Sequence, residues 1–142
     1  MKFLKNLLIF SIFGLTYGLI EILWRGYTHP SMVIVGGICG LLIGLLNEKN
    51  KKMKLLPQLV EGMVIVTVLE FVSGIVLNLC LGLNVWDYSD MRFNLLGQVC
   101  PQFCIAWFFL SYLVIRIDDL LRKTINSERE DAAEVALWIM IE

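Results

Sequence analysis

Four long apolar stretches, set apart by clusters of charge, organise the chain. The first runs from about Leu7 to Trp24, with one acid, Glu21, near its end. The second runs from Ser31 to Leu46 without a charge. The third runs from about Leu55 to Leu83 and holds Glu61 and Glu70. The fourth runs from about Val99 to Ile115. A helix needs roughly 20 residues to cross a bilayer. The second stretch is short of this, and Pro30 with Thr28 or Asn47 extends it. No strand alternation and no turn-punctuated short runs appear, which argues against a β-barrel. Inside lipid each backbone polar group must find its partner within the segment, so these stretches are read as helices.

The pattern predicts an all-α fold: a polytopic bundle of four transmembrane helices over residues 1–117. Beyond Ile117 the composition changes. Asp118–Glu134 mixes acids and bases and predicts a charged, helical cytoplasmic tail over residues 118–142. Its last stretch, Val135–Ile141 with Trp138, is apolar again but too short to span; it suits the membrane interface, a partner or a frayed end.

Composition agrees. The chain is 58% apolar and 18% charged, against roughly 45–50% and about 25% in soluble domains. This excludes a disordered chain, a nucleic-acid binder with a basic face and a secreted disulfide scaffold. The bases set direction. Lys2, Lys5, Lys49, Lys51, Lys52, Lys54, Arg116, Arg122, Lys123 and Arg129 fall on one side, and only Arg25 and Arg92 on the other. Both termini are therefore expected in the cytoplasm of a multi-pass cell-membrane protein. Two loops, Arg25–Pro30 and Asn84–Gln98, would lie outside. Met1–Gly18 has the basic start and apolar centre of a signal peptide but no small-x-small cleavage site, so it is read as a span.

The halves look alike. In each, an acid sits in the outer half of the first span, an aromatic and polar loop follows, and a glycine opens the next span: Gly36-Gly37 in one half, Gly97 in the other. Two hairpins related by an axis along the membrane normal are expected.

A charge within the membrane is costly, and protonation or pairing relieves it. At 100° per residue, Gly14, Tyr17, Gly18, Trp24 and Arg25 fall near Glu21, with Arg25 spaced to pair with it. Thr67, Ser73, Gly74 and Asn78 fall near Glu70. Glu61 points away and can snorkel to the headgroups. Two readings stand. Either Glu21, Arg25 and Glu70 form a central site or gate for a cation or proton, or they are structural. In the second case Glu21 bonds Arg25, and Glu70 bonds Asn94, Arg92 or a helix N-terminus.

Gly36, Gly40 and Gly44 make a groove along the second span where another helix can approach closely, from this chain or another subunit. The outer loop is the most distinctive segment. Trp86, Tyr88 and Phe93 suit the headgroup belt. Asp87, Ser89 and Asn94 can bond backbone N–H groups and cap the fourth span. A lid over a ligand and a rigid re-entrant cap are both compatible with it. Cys39, Cys80, Cys100 and Cys104 form no C-x-x-C and read as small buried hydrophobes. The lone His29 cannot build a zinc site. With no P-loop, nucleophile elbow or zinc-helix motif, neither a metal, a cofactor nor enzymatic activity is expected of this chain.

Trp86-Asp87-Tyr88-Ser89, then Asn94-Leu95-Leu96-Gly97-Gln98, with Glu70-x-x-x-Gly74 before them, resembles the Putative ABC-transporter type IV, or CmpB-like, family of small multi-span membrane proteins. Arg25-Gly26-Tyr27-Thr28-His29, Gly36-Gly37, Leu45-Leu46-Asn47-Glu48 and Asp118-Asp119 also fit, so the resemblance covers roughly residues 14–122. It departs at Arg92, where members often carry proline, at position 30, often aromatic, and in the tail after Lys123. It implies a permease-like subunit of an ABC-type transporter of unknown substrate. Such a subunit sits in the lipid bilayer and works with a separate ATP-binding subunit or as a homo-oligomer. The alternative is a non-transporting structural or regulatory protein that binds another membrane protein through the glycine groove.

Overall fold

The computed structural model describes residues 2–49 and 52–141, with side chains for 3–49 and 52–127. Lys51 and the side chains of Arg129 and Val135–Ile141 lie outside the described residues. Four α-helices follow one another: α1 (Lys2–Arg25), α2 (Pro30–Lys49), α3 (Leu55–Gly74) and α4 (Pro101–Ile141). A six-residue π-helical turn, Ile75–Cys80, continues α3. Among the described residues the sole β-type pairing is an isolated bridge between Leu95 and Val99.

Three helical segments are long and apolar enough to cross a membrane: Phe3–Arg25, Pro30–Lys49 and Leu55–Cys80. The fourth is α4, whose apolar stretch from Phe103 to Ile115 is shorter and gives way to Arg116 and Asp118. The helices overrun the expected limits. Proline at Pro30 starts α2, as suits a first-turn position that needs no N–H donor. The helix α4 crosses the expected boundary at Ile117 without a break, because Asp118–Glu134 keeps helix-forming residues and contains neither glycine nor proline.

The distribution of polarity is inverted relative to a soluble bundle. Leu15, Leu19, Leu23, Val64, Val68, Val72, Ile105, Phe109 and Leu113 face outward, whereas Glu21, Glu70, Asn78, Gln98, Ser111, Asp118 and Arg122 are buried. A soluble protein rarely exposes so wide an apolar surface. Helices facing lipid place their polar groups inside, where they can find one another.

Helix α1 packs chiefly on α2, and α3 on α4; α2 also touches α3 and α4. The glycine groove of α2 is filled from within the chain. A side chain added at Gly36 would meet the Tyr17 side chain 2.5–3.1 Å away, one at Gly40 would overlap Phe13, and one at Gly44 would overlap the Asp118 carboxylate. On the facing helix, Gly14 and Gly18 sit against Val33. Gly36 and Gly37 lie well inside α2 instead of opening it, and Gly97 lies in the loop before α4. The likeness of the two halves stops at their connections. A short turn, Gly26–His29, joins α1 to α2, but the π turn and a long folded loop, Leu81–Cys100, join α3 to α4.

At one end of the bundle, Arg122 on α4 bonds Asp118 (2.8 Å) and Glu48 of α2 (2.7 Å). There Asn47 also donates to Asp119, and Lys5 of α1 to Asn126. At the other end, Arg25 donates to the carbonyl of Val85 (3.0 Å), tying the two interhelical loops together.

Candidate functional site

Glu70 sits in the middle of the bundle with 3% of its surface exposed. The Tyr88 hydroxyl donates to Oε1 and the Trp107 indole N–H to Oε2, each at 2.8 Å. Neither donor carries a charge, and among the described residues Glu70 forms no ion pair. Its partners are thus Tyr88 and Trp107, instead of Asn94, Arg92 or a helix N-terminus. Asn94 is engaged within its own loop and Arg92 is exposed.

Glu21 belongs to a separate network. Arg25 Nη2 donates to Glu21 Oε1 (2.6 Å) and the Thr28 hydroxyl to Oε2 (2.5 Å). The guanidinium also lies 4.8 Å from the centre of the Tyr27 ring. Glu21 is therefore balanced by a cation and Glu70 is not, and the two carboxylates share no hydrogen-bond partner. Glu61 is half-buried beside Asn47 and Gln58, at the end of the bundle that carries Arg122.

A partly open cavity of about 90 Å³ adjoins Glu70, and all four helices line it. On a scale where one water needs ~10–15 Å³, it has room for several waters or one small organic molecule. Phe13 and Tyr17 from α1, Met32 and Cys39 from α2, Glu70 from α3 and Trp107 and Ser111 from α4 make its wall. Aromatic rings crowd this region. Tyr17 and Trp107 have centroids 6.3 Å apart with planes inclined by 47°. Phe103 lies 5.9 Å from Trp107 and stacks on Tyr88 at 4.5 Å.

The loop from Val85 to Cys100 folds back onto the bundle and holds Tyr88 over Glu70. Asn78 lies on the π turn, whose wider winding marks functional segments in many helices. It accepts from the Val85 N–H (2.7 Å) and donates to the Trp86 carbonyl (3.0 Å) and to Gln98 Oε1 (2.8 Å). The buried Trp86 indole donates to the Gln98 carbonyl, and Tyr88 N–H to that of Gly97. Asp87 Oδ1 accepts from the N–H and hydroxyl of Ser89, which hold its carboxyl below the usual range. Asn94 donates to the carbonyls of Ser89 and Met91 and accepts from Gly97 N–H.

Asp87, Ser89 and Asn94 therefore close the loop on itself instead of capping α4, which begins later, at Pro101. Of the three aromatics expected at the headgroups, Phe93 is exposed (87%), Trp86 is buried and Tyr88 turns inward. Phe93, Leu96 and Gly97 take positive φ, an unusual conformation for the first two. A side chain at Gly97 would strike Ser89 and Asp87, so glycine is needed there for space as well as conformation.

Reading the sequence by charge and motif missed the stripe that runs from Cys100 along α4. Cys100, Cys104, Trp107, Ser111, Ile115, Asp118 and Arg122 recur at three- and four-residue steps, and each is buried or partly so. That stripe of small, polar and indole residues within an apolar run is the signal that finds Trp107. Asp118, fully buried at the end of the stripe, has its carboxyl raised by burial, an effect Arg122 opposes. All four cysteines are free, and Cys80 is exposed.

No solved structure matches the chain. The model of the family described as Putative ABC-transporter type IV matches residues 6–141. The match extends beyond residues 14–122 at both ends and takes in the tail after Lys123, where the motif resemblance stops. With nearly its whole length matched, the chain belongs to this family of putative ABC transporters.

Proposed function

We propose that this chain is a multi-pass protein of the cell membrane with four spans and both termini in the cytoplasm. In this reading it is the permease-like subunit of an ABC-type transporter. The observation that carries the reading is Glu70, a carboxylate held by neutral donors at the edge of a cavity lined by all four helices. A buried acid without a basic partner is expensive in a membrane and marks a functional position by default. The family description and the outward apolar faces support the same reading. The chain is not itself an enzyme here. ATP hydrolysis falls to a separate ATP-binding subunit, and self-association supplies the rest of a pathway that one small bundle has little room for. The loop over Tyr88 then acts as the outer lid.

The test is recovery of the tagged, full-length protein from native membranes in mild detergent, with co-purifying chains identified by mass spectrometry. A stoichiometric ATP-binding subunit is expected. Recovery of self-copies alone, or of an unrelated membrane protein, overturns the permease reading.

A further inference from the structure

We propose that the cavity beside Glu70 binds a small organic ammonium ion, held by the Glu70 carboxylate and the faces of Tyr17 and Trp107. The inference rests on reading this cavity as the working site of the bundle, and it names the class of ligand.

Charge comes first. The described lining contains no basic side chain, and Glu70 meets only the neutral hydroxyl of Tyr88 and indole of Trp107. The nearby Glu21 already has its cation in Arg25. A cation entering the cavity therefore gains an uncompensated carboxylate.

The type of cation follows from the wall. Hard metal cations need six or more oxygen ligands, or ordered water in their place. This cavity offers few oxygens, and among the described residues no cluster of metal-ligating side chains occurs. What it offers is apolar surface and aromatic faces. A cation within about 6 Å of a ring centroid is attracted by the ring's quadrupole, most strongly where water is excluded, and quaternary ammonium recognition uses this effect. The Tyr17 and Trp107 rings both line the cavity, with centroids 6.3 Å apart and planes 47° from parallel. An ion in the cavity beside them comes within reach of the two rings together. Phe13 and Met32 supply surface for methyl groups, and a volume of about 90 Å³ suits a small ion better than an extended one.

The experiment measures binding of radiolabelled choline by equilibrium dialysis. The purified full-length chain is held in nanodiscs of phosphatidylglycerol, a lipid without an ammonium group. Saturable binding is expected, and 3,3-dimethylbutan-1-ol, the uncharged analogue of choline, should not displace it. Glu70→Gln should weaken binding about tenfold or more, as loss of the charge that faces a bound cation does. Tyr17→Leu, which keeps the carbon atoms that pack on Gly36, should weaken it about fivefold.

Absence of saturable binding, or equal displacement by the uncharged analogue, overturns the proposal using the unmodified protein alone. Unchanged affinity in a monodisperse Glu70→Gln protein overturns it as well. Displacement of choline by added phosphatidylcholine places the natural source in the bilayer, and lack of displacement places it in solution; either supports the site. The permease reading stands or falls separately, because binding needs no second subunit and the co-purification needs no choline.

Discussion

Asn78 shows how much of the site depends on one side chain outside it. Its amide uses one acceptor and two donors to hold Val85, Trp86 and Gln98, and that hold sets where Tyr88 begins its reach to Glu70. Hydrogen bonds between helices in membranes contribute about 0.6 kcal/mol each on average, so Asn78→Leu should cost about 2 kcal/mol. Thermal unfolding in detergent measures this, and an unchanged melting temperature would refute it. At this scale the sequence was partly legible. The cost of a charge in lipid singled out Glu21 and Glu70, and four-residue spacing paired Glu21 with Arg25. Trp107 escaped notice and Tyr88 was read only as a belt and motif residue, because tryptophan in an apolar run and tyrosine in a loop look like ordinary packing and belt residues. Their role depends on a hydrogen bond across many intervening residues, which no local pattern carries.

Between elements, the decisive contact is that of α1 with α2. The surface that approaches Gly36 and Gly40 is Tyr17 and Phe13 of the same chain. Gly40→Leu should therefore disrupt this protein itself rather than its hold on a partner. Overpacking a tight contact costs about 1–3 kcal/mol or more, and the overlap with Phe13 places this substitution at the upper end. Gly26→Ala is the contrast. Nothing lies near an added carbon there, and the positive φ of 80° alone should cost about 1 kcal/mol. Denaturation of both variants in one detergent gives the comparison, and equal losses would contradict it. Helix existence was legible from the apolar runs, whereas the π turn was not. It depends on Asn78 and Gly74 meeting Gln98 and Trp86, residues from the far side of the loop.

For the whole molecule, the two ends of the bundle differ in kind. One gathers Lys49 at the end of α2 together with Lys5 and Arg122 and the amide and acidic partners of these two; the other gathers the folded loop. In the proposed topology, which rests on the count of bases, the first end lies in the cytoplasm. Cysteine substitutions test this on a background with the native cysteines replaced. A membrane-impermeant maleimide should label Asp90→Cys on intact cells, and Ser127→Cys only after lysis. The reverse pattern would invert the topology. The all-helical architecture was the most legible feature, since the helices follow the apolar runs of the chain. The joining of four helices around one cavity was not, because that depends on which faces meet. Trp107 lies 37 residues after Glu70 in the chain, and this separation bears on how the protein is made. Synthesis delivers α3 to the membrane before either of the groups that will satisfy its acid exists. Until Tyr88 and then Trp107 leave the ribosome, Glu70 has neither of its final partners. The first hairpin with α3 is thus an incomplete assembly, and the arrival of α4 is the step that completes the hydrogen bonding of its buried acid.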